Sequence, residues 1–309
     1  MTVLIAKRVG LMVITLFFVV TITFFLMRSI PGNPLGEMVL RLKPEARENF
    51  ERIYGLDKPL HIQYLKYLQN LAKFDLGQSL RYPGKSVNSL IAGKSPVSFR
   101  VGLIALIGGT LLGVALGMVA ALFKNKWPDY IVMFIAVIGI ALPAFVTAAL
   151  MRHFLVSLPV RGLDSIQAYI IPVVALSFGT IATYARYIKA SMLDTMNQDY
   201  IMTAQSKGVS NFDIVRKHAL RNAILPSMAM LAARFSIIFT GNFVIERMFD
   251  IPGLGGYFVD SLFNNDYTMI MGLIVYMCAI FLVTQLFLDI AYMIVDPRIR
   301  TALDKSHGG

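Results

Sequence analysis

The chain has 309 residues, 56% of them hydrophobic and 15% charged, with a formal net charge of +11 and a mean hydropathy of +0.64. Uncharged runs near the roughly 20 residues that a bilayer-spanning helix needs recur along it, so the expected class is an all-α membrane protein rather than a soluble domain. The basic excess follows from membrane topology, which leaves nucleic-acid binding without support.

Six spans are expected, at residues 9–27, 101–123, 130–151, 167–185, 227–245 and 268–288. The first follows Lys7 and Arg8 as a signal peptide would, but its uncharged run is long and no small-x-small cleavage pattern follows it, so it is expected to be an uncleaved helix.

Residues 30–99 then form an external segment too long for a simple connection. Within it, residues 44–54 read as a helix stopped by Gly55. A second helix is expected with Asp57 as its cap and Pro59 in its first turn, presenting Leu60, Tyr64, Tyr67, Leu68 and Leu71 on one apolar face.

In the second span Ala105, Gly109, Gly113, Gly117 and Ala121 recur every four residues and make a ridge of small side chains, suited first to internal helix packing. Pro143 removes a hydrogen bond inside the third span and should kink it, with Thr147 one turn further on. Structural kink and wall of a transport path both remain open there. In the fifth span the charge of Arg234 must face protein or water; with Thr240 and Asn242 it lines a hydrated route or packs on another helix. Asp289, near the cytoplasmic end of the sixth span, reads as an anchor.

Orientation follows from Lys and Arg in the short loops. One side holds thirteen, including Lys7, Arg8, Lys124, Lys126, Arg186, Lys189 and Lys207, and the other holds three, Arg152, Arg161 and Arg247. Both termini are therefore expected in the cytoplasm. So is a polar island at residues 199–226, which reads as two short helices. The first, Asp199 to Ser206, stops at Gly208; Ser210 then offers an N-cap hydroxyl with Asp213 three residues on.

No catalytic or metal-binding pattern emerges. His61, His153, His218 and His307 are scattered on both sides of the membrane, and the single Cys278 lies inside a span. Two Gly-Lys-Ser triplets, at residues 84–86 and 93–95, lack the upstream glycine of a phosphate-binding loop, since Ser79 and Asn88 stand there.

The island resembles the cytoplasmic coupling motif of ABC importer permeases, Glu-Ala-Ala, three residues, Gly, nine residues, Ile-x-Leu-Pro. Ala204, Gly208 and Leu220 match the general form, while Thr203-Ala204-x-x-Lys207-Gly208 with His218-Ala219-Leu220-Arg221-Asn222-Ala223 and Leu225-Pro226 is similar to the peptide and nickel branch. Further matches are Arg8, Arg28, Pro31-Gly32-x-Pro34, the run from Tyr54 to Leu60, Asp75-Leu76-Gly77 with Ser79, Ile251-Pro252-Gly253-Leu254-Gly255, Asp266-Tyr267, and Val295-Asp296-Pro297-Arg298-Ile299-Arg300. The chain thus resembles the first membrane subunit of oligopeptide and dipeptide importers along nearly its whole length.

That resemblance implies a type I ABC importer permease with six transmembrane helices and cytoplasmic termini, in a prokaryotic inner or plasma membrane. The expected organisation is a first helix at 1–29, the external segment at 30–99, a five-helix core at 100–295 and a tail at 296–309. The implied partners are a second homologous permease, two ATPase subunits that bind ATP and Mg, an extracellular substrate-binding protein, the lipid bilayer and a peptide substrate, with no cofactor in this chain itself. Coupling to the ATPase is expected at Asp199, Thr203, Ala204, Lys207, Gly208 and His218, and the path at Pro143, Thr147, Arg234, Thr240 and Asn242. A nickel or metal-chelate importer is the nearest alternative. A secondary transporter would call for repeated halves and embedded carboxylates, and a polytopic enzyme for clustered catalytic groups.

Overall fold

The computed structural model describes residues 2–29, 44–45, 47–48, 52, 55, 57–82, 84–159, 161–224, 227, 234–235 and 242–295. In chain order the helices are α1 (Thr2–Ser29), α2 (Leu60–Ala72), α3 (Val87–Leu122), α4 (Trp127–Ala141), α5 (Ala144–Phe154), α6 (Ile166–Met196) and α7 (Asp199–Ser206). Next comes α8, a composite of Asn211–Asp213, a π-helical Ile214–Ala219 and Leu220–Ile224, and then α9 (Phe243–Met248), α10 (Leu254–Phe263) and α11 (Tyr267–Val295). Among the described residues the extended backbone pairs only at an isolated bridge between Gln78 and Ser86.

Among the described residues four helical stretches are long and apolar enough to cross a membrane: Ile5–Ser29, Val87–Leu122, Ile166–Met196 and Tyr267–Phe287. A fifth arises if α4 and α5, which meet at a 112° bend, count as one span. Most of the expected span at 227–245 lies outside the described residues.

The expected kink at Pro143 is a full break. α4 ends at Ala141, and Pro143, with φ −60° and ψ 145°, is the N-cap of a new helix. The ring removes an N–H and biases the residue before it toward extended backbone, so Leu142 (φ −86°, ψ 124°) leaves the helix. The second span also differs: α3 begins at Val87 rather than at residue 101, because the helix absorbs Pro96. Ser86 opens it by accepting the Ser89 N–H at 3.2 Å.

The chain forms two compact units: Met1–Ser98 with Phe239–Phe243 and Pro252–Gly309, and Phe99–Ile238 with Val244–Ile251. In the first, Val87, Leu90 and Ile91 of α3 pack with Leu254 of α10 and with Met269 and Leu273 of α11. A Cβ at Gly272 would stand 2.5 Å from Val87 Cγ1, so α11 approaches α3 where only a glycine fits. A second cluster joins Phe24 and Met27 of α1 to Tyr267, Ile270 and Met271 of α11, and Tyr64 and Tyr67 of α2 close over it. Arg8 pairs with Asp289 at 2.8 Å, so the anchor expected of Asp289 ties α11 to α1.

The expected cap of α2 is corrected. The helix starts at Leu60 after Pro59, with no side-chain cap, and Asp57 instead pairs with its neighbour Lys58 at 3.1 Å. The proline itself supplies the starting φ and needs no N–H partner. Of the expected apolar face, Tyr64 and Tyr67 stack around Phe24 with ring centroids 5.3 and 5.6 Å away.

In the second unit α6 is the centre, packed by α4, α5 and α8. The small-residue ridge of α3 lies against it: a Cβ at Gly113 would meet Tyr184 Cβ at 2.6 Å, and one at Gly117 would meet Ala185 O at 2.7 Å. The ridge therefore serves internal packing. Lys189 of α6 forms an ion pair with Asp129 in the first turn of α4, and Asp129 also accepts the Asn125 N–H at 3.1 Å.

Candidate coupling segment and transport path

The polar island folds from its own local signals. α7 runs from Asp199 to Ser206 as its sequence dictates, and its end is a Schellman motif: Gly208 N–H donates to Gln205 O at 2.9 Å and Val209 N–H to Ala204 O at 3.2 Å. Gly208 has φ +77°, a left-handed conformation that a side chain resists. Ser210 Oγ then accepts the Asp213 N–H at 3.2 Å, opening α8.

The island is fastened to the span ends beneath it. Ala219 and Ala223 of α8 are buried with Ala121 of α3 and with Tyr184, Ile188 and Met192 of α6. Asn222 Nδ2 donates to Tyr200 Oη at 2.9 Å, joining α8 to α7. Ile201 is buried under α7, whereas Tyr200, Met202 and Phe212 expose large apolar surface. Asp199, Thr203, Lys207 and Gly208 are exposed and Ala204 is half-buried. Thr203 turns its hydroxyl back onto Asp199 O at 3.0 Å. The backbone of His218 lies in the π-helical turn, and its side chain is outside the described residues.

Of the expected path residues, Thr147 is buried on α5 and Pro143 is exposed at the break. Arg234 is held by α6: its Nη1 donates to Thr180 Oγ1 at 3.2 Å and its Nη2 to Thr183 Oγ1 at 2.9 Å. Thr240 lies outside the described residues, and Asn242 precedes α9 in the first unit. The partners of Arg234 were not singled out in the sequence, although threonines three apart on one helix share a face and would have been the signal. Sequence reasoning named Asp266 and Ser79 only as family matches and gave the buried carboxylate no structural role. It accepts the Ser79 hydroxyl, the Leu80 N–H at 3.1 Å, the Arg81 N–H at 3.1 Å and the Met269 N–H at 3.0 Å.

Long apolar helices, one pair of them bent at a proline, with an ordered polar segment seated on the ends of two spans, define an integral membrane protein. The chain belongs to the family of binding-protein-dependent transport system inner membrane components, whose model matches residues 113–301. The N-terminal model of the same systems matches residues 1–84. The chain is 42% identical over 299 residues to the dipeptide transport system permease protein DppB of Bacillus subtilis, covering 95% of this chain and 96% of the relative. It is 39% identical to the oligopeptide transport system permease protein OppB of Haemophilus influenzae, over 93% of this chain and 95% of the relative. The Escherichia coli K12 OppB is 38% identical over 295 residues, again 93% and 95%.

Proposed function

We propose that this chain is the first permease subunit of an ATP-driven importer of peptides, forming half of the translocation path beside a second homologous permease. Two ATPase subunits or domains bind ATP and Mg, one of them docking on this chain's island, and an extracellular binding protein delivers the substrate. The relatives are named for dipeptides and oligopeptides, which favours peptide over nickel or a metal chelate. Six spans with both termini in the cytoplasm, in a prokaryotic inner membrane, agree with the thirteen-to-three charge bias.

The observation that carries the reading is the seating of the island. α7 presents an exposed outer side with Met202 and Lys207, while Asn222 and the buried alanines of α8 tie it to α3 and α6. A push on α7 is thereby passed to two spans. Asp199, Thr203, Ala204, Lys207, Gly208 and His218 form the coupling segment in this reading. Pro143, Thr147, Arg234, Thr240 and Asn242 border the path.

The test is Ala204→Arg in the assembled transporter reconstituted in vesicles. Normal insertion with loss of ATPase co-purification and of peptide-stimulated hydrolysis is expected. Wild-type uptake at normal expression would remove the island from the mechanism.

A further inference from the structure

Where α1 ends and α11 begins, the first unit contains a cavity of about 120 Å³ that the coupling and path residues do not touch. Its wall includes Arg28 of α1, Lys66 and Tyr67 of α2, Asp75, and Tyr267 and Thr268 of α11. The position is set by the spans: Arg28 is the last residue but one of the Ile5–Ser29 span and Tyr267 is the first of Tyr267–Phe287. That is the level of the lipid headgroups, where aromatic and basic side chains concentrate.

Two of the hydroxyls in its wall are unmatched. Tyr67 Oη and Tyr267 Oη are both buried and, among the described residues, make no hydrogen bond; Tyr267 as a whole is only 6% exposed. A buried phenol without a partner forfeits the hydrogen bond it would make to water. Burial pushes the Tyr67 phenol well up, so it stays protonated as a donor. The Arg28 guanidinium lies 5.6 Å from the centre of the Phe24 ring, and among the described residues no carboxylate pairs with it. Asp75, the one carboxylate among the described residues of the wall, accepts the Gly77 N–H on Oδ1 at 2.9 Å. Among the described residues the wall thus offers two cations and two phenolic donors against one partly committed acid and the buried amide oxygen of Gln63.

We propose that this cavity binds a phosphate group, with Arg28 and Lys66 supplying charge and the Tyr67 and Tyr267 hydroxyls closing on its oxygens. A tetrahedral oxyanion accepts several donors at once and suits a planar guanidinium. The phosphate comes from a phospholipid headgroup at this depth or from free phosphate, and the two sources are separable.

The full chain, purified in detergent and stripped of lipid, is titrated with a short-chain phosphatidylglycerol, with diacylglycerol of the same chains, and with inorganic phosphate, each read as a shift in thermal midpoint. A saturable shift with phosphatidylglycerol and none with diacylglycerol is expected. Arg28→Gln should weaken it about tenfold, the loss of one charge-assisted bond. The double variant Tyr67→Phe with Tyr267→Phe keeps the packing and should weaken it several-fold, so the proposal stays testable if Arg28→Gln does not fold. An Arg28-dependent shift with inorganic phosphate assigns the site to the free ion; a shift with the lipid alone assigns it to the headgroup. No saturable shift in the wild type, equal shifts in wild type and both variants, or equal potency of diacylglycerol would overturn the proposal.

Discussion

Ser79 donates its hydroxyl to the carboxylate of Asp266, 187 residues further along the chain. Asp266 is fully buried and spends its second oxygen on the Leu80 and Met269 N–H groups, so one side chain both caps α11 and pins the turn that leads to α3.

Asp266→Ala should therefore strand two buried N–H groups, at a cost of about 1–3 kcal/mol each. Asp266→Asn retains one oxygen and should cost less, and Ser79→Ala least. Heating the chain in detergent while following the reactivity of Cys278, its single thiol, gives the ranking. Equal midpoints for Asp266→Ala and wild type would contradict it.

Gly113→Ala should destabilise far more than an ordinary helix substitution. The new methyl would meet Tyr184 Cβ at 2.6 Å and Ile181 O at 2.8 Å, and forced repacking of this kind costs about 1–3 kcal/mol. Gly108→Ala, with open space around it, is the internal control and should be neutral or slightly stabilising in the same assay.

At Gly208 the penalty is conformational. A Cβ there meets nothing within 4 Å, but φ is +77°, which costs an L residue roughly 1–2 kcal/mol. Gly208→Ala should shift only the island. Hydrogen exchange is expected to rise across α7, with the spans unchanged, and substrate-stimulated ATP hydrolysis by the assembled transporter should fall. Exchange that rises equally in α6 would assign the effect to global stability instead.

Arg234→Ala removes two donors from Thr180 and Thr183. If the side chain borders the path, uptake falls while the complex still assembles and hydrolyses ATP. Loss of assembly would assign Arg234 to holding α6, and unchanged uptake would strike it from the path.

Orientation can be read directly. In a Cys278→Ala background, cysteine in place of Lys73 should react with an impermeant reagent on intact cells, and cysteine in place of Lys207 only after permeabilisation. Labelling of both from outside would refute cytoplasmic placement of the island.

Local signals made the island legible: α7 has its expected bounds, and the Gly208 stop and Ser210 cap formed as residue chemistry requires. The small-residue ridge was equally readable, because only glycine permits the separation between α3 and α6. Where helices begin and break was less so. Pro172 and Pro143 are the same residue in similar apolar runs, yet one is carried inside α6 and the other separates α4 from α5 by 112°. Packing, not local preference, decides between them. Long-range partners such as Ser79 and Asp266 or Arg8 and Asp289 leave no spacing to recognise, since the chain between them is set by tertiary structure.

The π-helical turn at Ile214–Ala219 acts as a phase shift. It accommodates one residue more than an α-helix of the same rise, and each residue is worth about 100° of rotation about the axis. Asn211–Asp213 and Leu220–Ile224 are thus out of step along one rod, and a single helical wheel drawn through both would turn one of them the wrong way. Removing one residue from this turn would leave a continuous α-helix with the remaining side chains unchanged, yet swing Ala219 and Ala223 away from α6 relative to the capped end at Ser210. Within this segment, residue number matters as much as residue identity.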